Sequence, residues 1–205
     1  RRMLRMTTSP LRLAGDFVVL EPLSLDHLEG LKDAVNDGEL WKLWYANIAK
    51  PAEMRQDIER RLDLCEAGSM LPYTVIRKVD EDSGYIAGMT NVINIDRANR
   101  VAEIGATWYA QSVQGTAVNP EAKFLLLRHL FEVEKFQRIE LRTHTFNRHS
   151  RAAIEKLGAT FEGVMRRHRV LKNGTTRDTA LYSILDHEWP TVRAHLEYRL
   201  QRAAQ

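Results

Sequence analysis

The stretch with the most chemical content is YAQSVQGTAVNPEAKFLLLRHLFE, residues 109–132, in which a polar turn with one glycine runs into an apolar helix. Asn119 is a favoured helix N-cap, and Pro120 suits a first helical position, where its missing N–H leaves nothing unpaired. A helix beginning directly after Gln114-Gly115-Thr116-Ala117-Val118 would present unpaired amides and a partial positive charge to an anion. The small residues Gly115, Thr116 and Ala117 would let a phosphate approach the main chain closely. The same residues also suit an ordinary strand-to-helix connection. One glycine without a Gly-Lys-Ser/Thr ending is far from a P-loop, so the stretch taken alone favours the plain connection.

Other chemistry-bearing residues are scattered. His144, His149 and His168 form no metal-ligand spacing, and no metal site is expected. The run MRRHR, residues 165–169, alternates as a strand would, putting Arg167 and Arg169 on one face and Arg166 and His168 on the other. It is read either as a polar strand face or as a surface for an acceptor or nucleic acid. The net charge of +3 is mild, with basic and acidic residues interspersed, which speaks against nucleic acid as the main partner. The single cysteine, Cys65, excludes an internal disulfide framework and fits a reducing cytoplasm. The basic opening RRMLRMTTSP leads into no continuous apolar run, so no secretory signal is expected, and no stretch approaches a membrane span.

The elements that must hold these residues can be read from pattern. DFVVLE, 16–21, is a strand by its β-branched run. A helix follows Ser24 or Asp26, with Leu28, Leu31 and Val35 at helical spacing. A second helix covers 51–66 with Pro51 in its first turn. Strands are expected over 73–78, 85–96 and 101–109, then a helix over 120–135 with Ala122, Leu125, Leu126, His129, Leu130 and Val133 as its apolar face. A strand over 138–145 precedes a helix over 148–157, which Gly158 should end in a left-handed cap. Asn173-Gly174 marks the turn of a closing hairpin, and an amphipathic, highly charged tail covers 187–203. A meander followed by a strand–helix–strand crossover means α+β with a central mixed, mostly antiparallel sheet flanked by helices. With no linker, residues 1–205 are expected to form one domain, with a core over about 16–189 and a helical extension over 190–205.

Three stretches make the chain resemble the GCN5-related N-acetyltransferases (GNAT), in the branch like the ribosomal-protein (RimJ/RimL-type) acetyltransferases. AEIGATWY is similar to the family's fourth strand. QGTAVNPEA occupies the place of its Q/R-x-x-G-x-G/A pyrophosphate loop, with Ala117 and Asn119 where that motif has Gly and Gly/Ala. NRHSRAAIEKLGATFEGVMRR is similar to its N-E-R-S…L-E-K-L-G-F-x-x-E-G region. The resemblance runs from about Asp16 to Trp189. It implies the family's acyl-CoA N-acyltransferase fold and transfer of an acetyl group from acetyl-CoA to an amine without a metal.

The roles that follow are implied by the resemblance. Main chain at Gln114, Gly115, Thr116, Ala117, Val118 and Asn119 would hold the pyrophosphate. Main chain near Trp108 and Tyr109, on a strand splayed from its neighbour, would face the thioester and pantetheine. Glu103 is the expected general base. Ser150 is the expected donor to the leaving sulfur or to CoA; the late-helix tyrosine used by some relatives is replaced around Glu155, Lys156 and Leu157, so a proton from water or from Ser150 would serve instead. Asn147 would contact CoA, and Arg151 its phosphates. Trp41, Trp44 and Tyr45 would line the acceptor pocket. The acceptor would be a protein N-terminus or a small amine, and the molecule a cytoplasmic monomer or homodimer. A catalytically degenerate CoA-binding sensor or scaffold of the same fold is the alternative.

Overall fold

The computed structural model describes residues 9–205, so most of the basic opening stretch lies outside the described residues. Among them, eight strands form one sheet: β1 (Leu13–Ala14), β2 (Val18–Pro22), β3 (Met70–Lys78), β4 (Gly84–Asp96), β5 (Val101–Tyr109), β6 (Arg138–His144), β7 (Thr160–Val170) and β8 (Thr176–Leu185). Their spatial order is β1-β2-β3-β4-β5-β6-β8-β7. Every neighbouring pair is antiparallel except β5 and β6, which run parallel. A parallel pair needs a crossover, and α3 (Val118–Arg128) supplies it.

Helices cover both faces. On one face lie α1 (Leu28–Asn36) and α2 (Met54–Glu66). Ser24 caps the turn that leads into α1 by accepting from the Asp26 N–H, and Leu28, Leu31 and Val35 are buried as their spacing predicts. Gly30 lets α1 lie close to the sheet, because a Cβ there would stand 2.6 Å from Ile86 Cδ1. Arg61 of α2 reaches Asn91 of β4 at 3.0 Å. The other face carries α3, α4 (Arg148–Lys156) and α5 (Trp189–Ala203). The expected tail helix packs inward through Trp189, Val192 and Leu196, with Trp189 stacked on Phe131.

The crossover helix departs from expectation in three ways. It begins at Val118 with Ala117 as N-cap, so Asn119 does not cap it and Pro120 lies third in the first turn. Proline is tolerated throughout that turn because those amides have no intrahelical acceptor, so the dipeptide marks the turn and not its first residue. The α-helix gives way after Arg128 to a π-helical turn over His129–Val133, which rotates Val133 out of the expected apolar face to 61% exposure. The end of α4 follows expectation: Gly158 has φ +96°, as Gly174 has +81° in the hairpin turn.

Candidate functional site

β5 and β6 are joined only at their lower ends, through Val101↔Arg138, Ala102↔Ile139 and Glu103↔Glu140. Beyond Glu103 the ladder stops, while β5 stays paired to β4 as far as Tyr109 and β6 stays paired to β8 as far as His144. The two central strands therefore part, leaving an unpaired strand edge inside the sheet.

A bulge in β5 sharpens the parting. Asn91↔Gly105 is followed by Met89↔Trp108, so β5 carries an extra residue there, and Ala106 takes φ +47°. The expected alternation of Ala106 with Ala102 and Ile104 is thus broken: those two are buried and Ala106 is exposed. A bulge bends a strand and increases its twist. Asn91 Nδ2 donates to the Gly105 and Ala106 carbonyls at 3.2 and 3.0 Å. The Arg61 guanidinium bonds Asn91 Oδ1 and is itself held 2.7 Å from Asp57. From the opposite face Lys123 of α3 donates to the Thr107 and Thr90 hydroxyls at 2.8 and 3.2 Å. Sequence pattern gave no sign of this bracing, since each partner lies on a different element.

At the top of β5 the Ala110 N–H donates to Ala87 on β4. Strand donors alternate in direction, so the Tyr109 main chain is turned to the open edge, where its carbonyl accepts from Gln114 Nε2 at 2.9 Å. The Trp108 side chain is buried, and that of Tyr109 is half-buried with its hydroxyl inside. The Tyr109 hydroxyl has no hydrogen-bond partner among the described residues, and burial pushes its pKa up.

The following loop is shaped by Thr116. Its hydroxyl donates to the Val113 carbonyl at 2.6 Å and accepts from the Val118 N–H at 3.3 Å. Gly115 takes φ +77° with no atom within 4 Å of where a Cβ would stand. Among the described residues the amides of Gly115, Ala117 and Asn119 find no main-chain acceptor. They line or adjoin a cleft of about 450 Å³ between the α3 N-terminus, the end of β3 and the end of α5, with Phe17, Arg77, Lys78 and Arg199 on its walls. The three cations come from segments not singled out by sequence, because only the fold brings them beside residues 115–118.

Glu103 lies on the face covered by α1 and α2 and is 5% exposed. It accepts from Asn94 Nδ2 at 2.6 Å and stands 3.4 Å from Arg142 Nε. Burial raises its pKa above the usual carboxylate value, opposed by the Arg142 guanidinium, by the Asn94 bond and by Arg169. Asn147 caps α4 by accepting from the Ser150 N–H at 3.0 Å, which puts both residues at the end of β6, where the gap opens. Arg151 Nε donates to the Tyr182 hydroxyl at 3.0 Å, and the guanidinium lies over the Phe161 ring.

The expected acceptor aromatics divide. Trp41 packs against the core, whereas Trp44 is 50% exposed and meets Tyr45, His144 and Phe146 at ring-centroid distances of 5.6, 5.2 and 6.1 Å. The Phe146 N–H donates to His144 Nδ1, so Nε2 carries the proton of the neutral ring, and burial keeps that ring's pKa low. Asn173 at the β7–β8 turn reaches the Trp44 carbonyl at 3.5 Å. The alternation expected for residues 165–169 fails at a second irregularity, with Arg167 at φ +49°. As a result Arg169 pairs opposite Arg177 while His168 reaches Thr179. Among the described residues no group of His, Cys, Asp and Glu is placed to hold a metal, and no helix is long and apolar enough to cross a membrane.

Comparison with known proteins places this geometry. Residues 18–160 match the family model of the acetyltransferase (GNAT) domain. A Bacillus subtilis (strain 168) protein named "Putative ribosomal N-acetyltransferase YdaF" is 34% identical over 106 residues, covering 52% of this chain and 57% of that protein. The chain thus spans little more than half the length of that curated relative. The crystal structure of a GCN5-related N-acetyltransferase from Brucella melitensis superposes with a TM-score of 0.79 at 32% identity, covering 92% of this chain and 84% of that one. The microcin C7 self-immunity acetyltransferase MccE, solved in complex with acetyl-CoA and AMP, shares the fold at TM-score 0.73 and 23% identity, over 83% of this chain and 93% of its own.

Proposed function

Because the chain belongs to the GNAT acetyltransferase family, we propose that it transfers the acetyl group of acetyl-CoA to a primary amine, a protein N-terminus or a small molecule, in the manner of the RimJ/RimL-type enzymes. The observation that carries the reading is the parting of β5 from β6 beyond Glu103, directly ahead of a helix whose entry loop holds unpaired amides. An unpaired strand edge takes an extended ligand as an added strand, and pantetheine carries amides that can bond one.

In this reading the amides of Gly115, Ala117 and Asn119 receive the diphosphate, and Arg77, Lys78 and Arg199 balance its charge and that of the attached nucleotide. Gln114 ties the loop to Tyr109, so the diphosphate and the thioester are held in one register. Asn147 and Ser150 face the pantetheine from the β6 side, with Ser150 as donor to the leaving sulfur. Arg151 has a structural task, fixing α4 to Tyr182 and Phe161.

The chemistry is one displacement. The amine nitrogen attacks the acetyl carbonyl carbon, the carbon–sulfur bond breaks, and CoA leaves as thiolate, which is protonated by way of Ser150 by the proton that the acylated nitrogen sheds. In this reading the Tyr109 N–H on the open edge stabilises the developing oxyanion. An ammonium has no lone pair, so the acceptor first yields a proton, and Glu103, raised toward neutrality by burial, is the group to take it. Cys65 is half-buried and free, which is compatible with a reducing cytoplasmic setting. The test is calorimetry with acetyl-CoA followed by thiol release over an amine panel. Micromolar binding and amine-dependent release are expected; absence of binding overturns the reading.

A further inference from the structure

We infer that the acceptor carries a carboxylate close to its reacting amine, and that Arg169 and Arg177 bind that carboxylate. The inference rests on the transferase reading above and deepens it by naming the acceptor's charge.

Register places the relevant groups together. Alternate residues of β8 share a face, and Arg177, Thr179, Leu181 and Ser183 lie opposite Arg169 of β7 and His144, Arg142 and Glu140 of β6. This is the face of Glu103, which Arg142 contacts directly. Four guanidinium groups, Arg138, Arg142, Arg169 and Arg177, thus share a region with three carboxylates, Glu103, Glu140 and Glu162. The pairing among them is unequal. Arg138 is bound by Glu140 and Glu162, and Arg142 by Glu103 and Glu140. Arg169 and Arg177, directly opposite one another across two strands, have no carboxylate within 4.0 Å among the described residues. Arg177 is half-buried, and its Nε donates to the Thr179 hydroxyl at 2.9 Å, so the fork is oriented rather than loose.

Like charges directly opposite on a strand pair are destabilising, and half-burying one of them adds a desolvation penalty. Burial and the neighbouring Arg169 and Arg142 all act against the charged form of Arg177, and only Glu103 acts for it. An incoming carboxylate relieves that conflict, and two guanidinium forks are matched to its two oxygens. The same positive field disfavours the ammonium form of an amine bound beside Glu103, which favours the nucleophile. The rings of Trp44, Tyr45 and Phe146 adjoin this face through His144, which pairs opposite Thr179.

The experiment compares acceptors that differ by one carboxylate, with every rate referred to the neutral-amine fraction of the acceptor at the pH used. Acetyl-CoA turnover is measured for seryl-aspartyl against seryl-asparaginyl peptide amides, and for serine against serinamide. The two pairs distinguish a side-chain carboxylate from an α-carboxylate. At least one acidic member is expected to exceed its amide partner about 10-fold or more in kcat/KM, with an advantage that shrinks as salt rises. In Arg169→Gln and Arg177→Gln the ratio within that pair should fall toward one. Arg177→Lys, which keeps the charge and removes the fork, should retain part of it. Equal rates within both pairs in the native protein overturn the inference, as does a ratio that the variants leave unchanged. Should no amine be turned over, the transferase reading fails on its own. Equilibrium binding of the same peptides to the native protein and to Arg169→Gln then decides the carboxylate site, with equal affinity overturning it.

Discussion

The Glu103 carboxylate lies 3.4 Å from Arg142 Nε and is 5% exposed, so one buried group is pulled in opposite directions by desolvation and by its partner. Desolvation is the larger influence and leaves the carboxyl above its ordinary pKa, with Arg142 limiting the rise. As base, Glu103 works only when ionised, so the acid limb of the kcat/KM profile should lie above the ordinary carboxylate range. Glu103→Gln should lower kcat by roughly 10²–10⁴-fold and abolish that limb. Arg142→Gln removes a group that lowers the pKa and should therefore move the limb to higher pH. An Arg142 variant whose limb moves to lower pH, or a Glu103→Gln enzyme with native rate and profile, would remove the assignment.

Gly115 tests the loop apart from the chemistry. Its φ of +77° is in the left-handed region, and the space beside it is open, so Gly115→Ala introduces backbone strain without a clash. That strain is about 1–2 kcal/mol, and it should appear as roughly 5- to 30-fold weaker acetyl-CoA binding by calorimetry with kcat at saturation little changed. Thr116→Val removes both bonds made by that hydroxyl and should act in the same direction. Unchanged affinity in both variants would mean that the diphosphate lies elsewhere.

The parts of this site legible in the sequence are those fixed by local chemistry. Asn147 reads as a cap and is one; Asn173-Gly174 reads as a turn; the limits of β5 follow from its own residues. Asn119-Pro120 pointed to the right turn of α3 but the wrong cap, because a proline fits anywhere in a first turn. Ala106 and Arg167 broke the expected alternation through bulges, and a bulge is decided by what the neighbouring strand and helix supply: Asn91 braces the first from a strand 15 residues away in sequence. The opening between β5 and β6 could be expected from family resemblance but not from pattern, since where a ladder stops depends on residues far apart in the chain. The pairing of Arg169 with Arg177 was hidden for the same reason. The contacts of Arg151 with Tyr182 and Phe161 were hidden as well, because only the fold brings those residues to it.

Glu121 of α3 fastens the first strands to the helix that carries the loop. Its carboxylate accepts from the amides of Asp16, Phe17 and Val18 at 2.8, 2.7 and 2.6 Å, and the group is 3% exposed. Glu121→Gln keeps the shape but turns one acceptor into a donor facing N–H groups. A buried amide left without its acceptor costs about 1–3 kcal/mol. For a chain of this length that lowers Tm by roughly 2–12 °C, with the circular-dichroism spectrum unchanged. A Tm within one degree of native would show that the three bonds contribute nothing net.

Lys123 is buried against Thr90 and Thr107 with no carboxylate bonded to it, and burial alone pushes its pKa down to about 7 from 10.5. Between those values the unfolded chain binds a proton that the folded chain does not. Stability from this group therefore rises with pH across that window, by about 1.4 kcal/mol per unit. Below about pH 7 both states are protonated, and the full penalty of burying the ammonium remains. Lys123→Met removes the charge and leaves Thr90 and Thr107 the 2.8 Å bond they make with one another. In urea unfolding at pH 6.5 the variant should be more stable than the native protein, and the difference should shrink steadily toward pH 9.5. Parallel stability curves over that range would mean that Lys123 keeps its proton in the folded state, and a variant less stable at pH 6.5 would mean that its bonds beneath the β5 bulge outweigh the cost of burying it.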